Sequence, residues 1–332
     1  MVKRVVMLWC TFLFTATSGQ AAVDHYWSAG PSLPVKVQEI YPAVNKSSIY
    51  VAGGLSESKN GIVVRDNVYQ LDAKTGKWQT LPPLPEPRHH AMLVAEDNAL
   101  WSFGGFITAG GGQWVNTDTV LRFDKATQSW EQKSPMPVAL SETVAVMLND
   151  KLHLIGGRTI KGRANGRWHD HNDTDWHGIY DATAGVWKTA TPLPTPRNSA
   201  CAVTYMGKIH VIGGRQVGGG NLDTHEMYDP TTARWKTLKP LPQKQAGLAC
   251  VAYRHSIYVF GGEHFVDEGG VFSEVWRYDI ARKKWGQIST MPVPRHGLGA
   301  VVLDDQIWLV GGATKAGAAG TSSVVSKLKN MN

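Results

Sequence analysis

Asp229-Pro230-Thr231-Thr232-Ala233-Arg234-Trp235, followed by Leu241-Pro242, decides the reading of this 332-residue chain. The spacing recurs at Asp72 and Trp78, Asp124 and Trp130, Asp181 and Trp187, and Asp279 and Trp285. An apolar residue precedes each Asp: Leu71, Phe123, Tyr180, Tyr228 and Tyr278. Seven residues after each Trp stands a proline: Pro85, Pro137, Pro194, Pro242 and Pro292. Upstream, an apolar run ends in a glycine pair: Gly53-Gly54, Gly104-Gly105, Gly156-Gly157, Gly213-Gly214 and Gly261-Gly262. A sixth pair, Gly311-Gly312, lacks a following Asp and Trp, while Trp27, with Pro34 seven residues on, lacks a preceding pair. These two fragments complete each other. A period of about 50 residues marks a radial or linear array of repeats.

Residues 197–242 show what one repeat encodes. Ala200–Tyr205 is a small, apolar strand, and Met206-Gly207-Lys208 is a hairpin turn. Ile209–Ile212 is a second strand ended by the glycine pair. After a variable loop, Thr224–Tyr228 is a third strand, with Asp229 capping the next turn through its side chain. Trp235–Leu238 is the outer strand. Such a unit cannot bury both faces alone, and stacking copies radially does so. The expected fold is all-β: a six-bladed propeller of four-stranded blades over residues 22–332. Its last blade is closed by the N-terminal and C-terminal strands, which removes two open sheet edges. Asn330 falls at the turn position of that blade.

The paired glycines, aromatic-Asp, Trp and Leu/Met-Pro resemble the kelch repeat, over nearly the whole chain after residue 21. That resemblance implies a β-propeller and by itself no activity. In outline the chain resembles the exported bacterial kelch propellers, among them the periplasmic N-acetylneuraminate epimerase, and more distantly the propeller of galactose oxidase. The first implies an anionic sugar as ligand. The second implies a copper site with a Cys–Tyr thioether, for which Cys201 and Cys250 stand mid-strand in the repeat.

Residues 1–21 differ in kind. Lys3 and Arg4 precede an apolar run from Val5 to about Thr15, and Gly19-Gln20-Ala21 offers small residues for cleavage. This reads as a signal peptide leading to a secreted or periplasmic protein, with no membrane span after cleavage. Loss of Lys3 and Arg4 takes the formal charge from +7 to +5. No polybasic run exists, so nucleic acid is not an expected partner. Cys201 and Cys250 occupy equivalent strands of neighbouring repeats, one position out of step. Export permits a bridge between them, and two small buried thiols are the simpler expectation. A monomer is expected.

Strand order locates the site. The loops after the glycine pairs and the links after the prolines emerge on one face. After the pairs come Leu55, Phe106, Arg158, Arg215, Glu263 and Ala313. Three residues past the prolines come Arg88, Leu140, Arg197, Gln245, Arg295 and Val37, with His89, Glu142, Asn198 and His296 next. Arg88, Arg158, Arg197, Arg215 and Arg295 make this mouth a candidate anion site, since guanidinium binds carboxylate in a fork. The plainer role of Arg88, Arg197 and Arg295 is to pair with backbone and acids of the blades. Trp168 and Trp176 in the longest mouth loop, residues 158–177, are candidates for stacking on sugar faces, and Glu263 and His296 are candidate proton-transfer groups. His169, His171 and His177, with Asp170, Asp173 and Asp175, meet no metal-site spacing. No metal or other cofactor is expected. His153 and His210 fill a repeat position held elsewhere by Tyr50, Trp101, Tyr258 and Trp308, and read as structural rings.

Two functions stay open. One is an exported propeller binding an acidic carbohydrate or a protein partner at the Arg-rich mouth. The other is a sialic-acid-type sugar epimerase or mutarotase.

Overall fold

The computed structural model describes residues 26–329. The first blade comprises Ala43–Asn45, Ser48–Ala52, Val68–Asp72 and Lys77–Leu81. The second comprises Met92–Ala95, Ala99–Phe103, Val120–Asp124 and Ser129–Lys133. The third comprises Val144–Leu148, Lys151–Ile155, His177–Asp181 and Val186–Thr189. Cys201–Tyr205, Lys208–Ile212, His225–Asp229 and Arg234–Thr237 make the fourth; Ala249–Tyr253, Ser256–Phe260, Glu274–Asp279 and Lys284–Thr290 the fifth. Every blade is a four-stranded antiparallel sheet with neighbouring strands paired in sequence order. The innermost strands touch in a closed circle, from residues 43–45 through each blade to 299–303 and back.

The sixth blade is composite, as expected. Gly299–Leu303, Gln306–Val310 and Val325–Leu328 supply three strands, and Trp27–Ala29 supplies the outer one. Trp27 lies opposite Leu328 and Ala29 opposite Ser326. Residues 1–21, read from the sequence as a signal peptide, and the turn position Asn330 lie outside the described residues.

The repeat motifs have separate tasks. Each Asp accepts backbone N–H groups in its turn; Asp124 Oδ1 takes Ala126 at 2.8 Å and Thr127 at 3.1 Å. Each Trp reaches toward the preceding blade. Trp78 donates to Pro31 O, Trp130 to Pro82 O, Trp235 to Thr191 O and Trp285 to Lys239 O, at 2.9–3.0 Å. Trp27 does the same to Ser289 Oγ at 3.1 Å. The Trp187 indole N–H is buried without a partner. Apolar clusters fill the gaps between blades, for example Phe260, Val275, Leu309 and Leu328 between the fifth and sixth.

His153 and His210 are buried in their blades and each is bonded to a second buried histidine. His153 Nδ1 lies 2.8 Å from His177 Nε2, and His210 Nδ1 lies 2.9 Å from His225 Nε2. The expectation of two free thiols is corrected. Cys201 and Cys250 form a disulfide with a Cα–Cα distance of 5.8 Å. The one-position offset turns the two side chains toward each other across the gap between the fourth and fifth blades.

Candidate functional site

The mouth is built by a repeated backbone device. Gly261 and Gly262 take φ of 61° and 102°. A Cβ on Gly261 would stand 2.0 Å from the carbonyl oxygen of Arg295, so only glycine fits this turn. The residue after the pair then bridges to the strand start of its own blade. Arg158 pairs with Ser141, Arg215 with Asn198, Glu263 with Ala246, and Ala313 with His296. Phe106 pairs with His89, and Leu55 with Gln38.

One position further the backbones of neighbouring blades meet. Glu39, His90, Glu142, Ser199, Gly247 and Gly297 all have positive φ, between 50° and 65°. Their backbones link around the ring. The N–H of Glu39 donates to Gly297 O, that of Gly297 to Gly247 O, that of Gly247 to Ser199 O, and that of Ser199 to Glu142 O. The N–H of His90 donates to Glu39 O. This girdle floors the mouth. Four of its positions carry side chains in a conformation that costs of order 1–3 kcal/mol each outside glycine. Such strain at one spot points to a use for those side chains. Glu142 thereby belongs with His90 and Ser199, one position beyond the register read from the sequence.

Above the girdle lies a cup of about 480 Å³. Glu39, His90 and Glu142 rise from its floor; Arg158, Arg215 and Glu263 enter from the wall; Trp114, Trp168 and Phe265 line its upper part. Glu39 is bracketed by two imidazoles: Oε2 is 2.8 Å from His90 Nε2, and Oε1 is 3.4 Å from His296 Nδ1. Burial alone would raise the Glu39 carboxyl, yet His90 and His296 hold it well below the usual range. Burial would lower both imidazoles, and Glu39 raises each above its ordinary value. His89 lies behind His90, with Nδ1 atoms 2.6 Å apart. Burial, then the charge on His90, pushes His89 well down. His89 is therefore the neutral partner.

The two arginines are held differently. Arg215 Nη2 lies 2.8 Å from Glu263 Oε1. Arg158 lies flat on Trp168, its Cζ 3.4 Å from the ring centre, and Nη2 donates to Trp168 O at 2.7 Å. Its Nη1 is 4.0 Å from Glu142 Oε1. The Nε of both arginines is buried without a partner, and so is Glu142 Oε1. Burial first, and the nearby Arg215 charge after it, lower the Arg158 guanidinium from its ordinary value. Arg215 is raised instead: burial would lower it, but Glu263, Glu142 and Glu39 together outweigh that burial, and Glu142 acts on both guanidiniums.

The sequence candidates divide accordingly. Arg158, Arg215, Glu263 and Trp168 line the cup, and His296 stands beneath them against Glu39 and Glu263. Arg88, Arg197 and Arg295 are as buried as Arg158, but unlike it they line no part of the cup and bond within the blades. Arg88 donates to Gly104 O; Arg295 donates to Gly311 O and Val324 O; Arg197 pairs with Glu226 at 2.5 Å. They are the ring's struts, the plainer of the two roles read from the sequence, and of the five candidate arginines Arg158 and Arg215 line the mouth. Trp176 packs on Trp187 outside the cup. Glu263 is also a strut in part: Oε2 accepts Gly317 N–H at 2.7 Å while Oε1 holds Arg215. His171 is bonded to Asn165, His177 lies in a blade gap, and Asp173 is bonded to Asn198 and Val217 N–H. The residues that sequence reasoning missed are Glu39 and His90. Their signal was the alignment of Gly247 with Gly297, which marks a left-handed position in every repeat.

Comparison with known proteins follows the same line. The family described as KLHDC2/KLHL20/DRC7 Kelch-repeats domain matches residues 169–312. Kelch-like protein 41b of Danio rerio is 29% identical over 51% of this chain and 26% of its own length. Beta-scruin of Limulus polyphemus is 30% identical over 52% of this chain and 18% of its own length. The chain spans about a quarter of the length of the first curated relatives it matches. The solved structure of YjhT superposes with a TM-score of 0.79 at 19% identity, covering 92% of this chain and 98% of that one. Repeat, ring and likenesses agree that this chain is a kelch-repeat β-propeller.

Proposed function

We propose that the protein binds a small acidic carbohydrate in the axial cup. One observation carries this: Arg158 and Arg215, each with an unpartnered buried Nε, face one cavity of about 480 Å³ roofed by aromatic rings. Guanidiniums orient a carboxylate, and Trp168 and Trp114 offer faces to a pyranose. Export of the protein belongs to the same proposal. The Lys3-Arg4 start with its apolar run and the Cys201–Cys250 bridge both support it. Mass spectrometry of the mature product is expected to find Ala22 or a near neighbour at its N-terminus.

Calorimetric titration with glucuronate, N-acetylneuraminate and glucose tests the binding. The acids are expected to bind and glucose to bind at least tenfold more weakly, since charge-assisted hydrogen bonds contribute about 1.5–3 kcal/mol. Arg158→Ala with Arg215→Ala is expected to abolish binding. Equal binding of glucose would sink the proposal. Kelch-repeat propellers commonly bind proteins. Survival of acid binding in the double variant would move the site to the outer loops and favour a protein ligand.

A second reading, anomer exchange or epimerisation on that sugar, is favoured by the free Glu142 Oε1 opposite the Glu39–His90–His296 bracket. Ring opening needs a base to take the anomeric hydroxyl proton and an acid to protonate the ring oxygen. Glu142 has the free oxygen for the first step. Glu142→Gln is expected to end anomer exchange, read by NMR, while binding persists; unchanged exchange would remove Glu142 from the mechanism.

A further inference from the structure

The floor of the cup is charged, and one side of its lip is apolar. Val217 tips the mouth hairpin of the fourth blade and is 39% exposed. Phe265 and Val266 tip that of the fifth blade and are 61% and 69% exposed. The sixth blade's loop lies beside them: a Cβ on Gly317 would stand 4.0 Å from the Phe265 ring, and one on Gly269 would stand 3.6 Å from Ala316 Cβ. The Glu263 carboxylate binds this loop to the fifth blade through Gly317 N–H, so the patch is held together across three blades.

The patch continues into the cup. Val217, Phe265 and Ala318 line the cavity wall, and the Arg215 guanidinium lies 5.7 Å beneath the Phe265 ring. A ligand whose carboxylate reaches Arg215 therefore leaves the cup alongside Phe265. Four side chains are far fewer than the roughly 20–30 residues a side that a stable protein interface uses. They match instead one ring or a short chain carried by the ligand.

We propose that Val217, Phe265, Val266 and Ala318 form an apolar subsite, and that the natural ligand is a conjugate: an acidic sugar bearing an aryl or alkyl group. This rests on the cup being the acid-sugar site. Covering such a patch with a phenyl ring contributes about one order of magnitude in affinity.

The test compares phenyl with methyl glycosides of glucuronic acid and of N-acetylneuraminic acid by calorimetric titration on the purified protein. The phenyl glycoside of whichever acid binds is expected to bind roughly 10-fold more tightly than its methyl counterpart. Phe265→Ser with Val266→Ser is expected to reduce the phenyl glycoside to the methyl level. Val266→Ser alone, at a position that does not line the cup, should weaken the phenyl glycoside while the free acid binds as before and the melting curve does not move, because Val266 is 69% exposed. Equal affinity of phenyl and methyl glycosides, with the free acid still bound, overturns the subsite alone. Failure of every acid to bind overturns the cup reading beneath it. Self-association seen by sedimentation velocity and lost in the double variant, with no phenyl preference, would give the lip to a second copy and overturn the proposal.

Discussion

Glu39 stands between two histidines drawn from different blades, and that arrangement makes anion binding depend on pH. His90 and His296 both titrate above their ordinary value of 6.5 because Glu39 favours their charged forms against the opposing effect of burial. Below that range both imidazoles are charged and, together with Arg158 and Arg215, outnumber Glu39, Glu142 and Glu263 by one, so the cup attracts a carboxylate. As pH rises through the raised values the imidazoles lose charge, the cup becomes more negative, and an acidic ligand is repelled. Affinity for an acidic sugar is expected to fall about 10-fold as pH rises from 6.5 through those raised values, a coupling within the usual 1–3 kcal/mol. His296→Asn should flatten the profile; a flat profile in the unaltered protein would show that the bracket is uncoupled from the ligand. Glu263 supports a second expectation. Its two oxygens tie Arg215 and Gly317, and its side chain is 3% exposed. Breaking a buried pair costs about 3–5 kcal/mol, and the 19% exposure of Arg215 points to the low end. Glu263→Ala should thus lower the melting temperature by several degrees as well as weaken binding, whereas a residue serving only in proton transfer would leave stability unchanged. Residue positions around the mouth were legible in the sequence, because the repeat numbers them. Side-chain direction was not. Arg88 and Arg215 both emerge on the mouth face, but Arg88 lies one residue before the position that pairs with the post-glycine residue, and it bonds to Gly104 O in the blade while Arg215 bonds to Glu263.

At the scale of the blade, the repeated Trp joins units rather than stabilising one. Its ring packs on the aromatic before the Asp, as Trp285 does on Tyr278 at 5.0 Å, and its N–H crosses to the preceding blade. Trp285→Phe keeps the ring and removes the donor, leaving Lys239 O without its partner. The expected cost is about 1 kcal/mol. Trp187 is the control, since its buried N–H has no partner to lose. Trp187→Phe should be neutral or stabilising, and equal destabilisation by the two substitutions in thermal denaturation would refute the latch. The Asp-to-Trp spacing was readable because it is local: one turn, one hairpin, one face. Where the indole N–H goes is a contact between repeats, which no spacing within a repeat reports. The Cys201–Cys250 bridge was hidden for the same reason. Its geometry depends on how closely two blades approach near the axis.

For the whole ring, closure by Trp27–Ala29 was legible from the two incomplete repeats, and the girdle was not. Four of its six positions carry Glu, His or Ser, which masks the glycine signal that Gly247 and Gly297 retain. The ring also carries an acid sensitivity inside two neighbouring blades. His153 and His177 form one buried pair, His210 and His225 another, and the distal ring of each packs edge-on against the next blade's tyrosine, Tyr228 and Tyr278. His177 Nδ1–H donates to Thr191 O at 3.1 Å, so its Nε2 accepts the His153 proton, and that pair is neutral as it stands. Burial, with the partner ring adding to it for His177 and His225, lowers His153, His177 and His210 to about 4 and His225 to about 3. In the unfolded chain the same groups titrate near 6.5. Between these values the unfolded chain binds more protons, so stability is fully present above pH 6.5 and falls as pH drops toward 4. Each shift corresponds to roughly 3 kcal/mol. Counting one such contribution per hydrogen-bonded pair gives a loss of about 6 kcal/mol, comparable to the whole stability of many folded proteins. The urea midpoint is therefore expected to fall steeply between pH 6.5 and pH 4.5, before most carboxylates protonate. His153→Phe with His177→Phe places apolar rings in both sites, as Tyr50, Trp101, Tyr258 and Trp308 do at the first position, and should remove about half of that slope. A midpoint that holds steady from pH 7 to pH 4.5 would mean that these pairs admit protons without opening the blades.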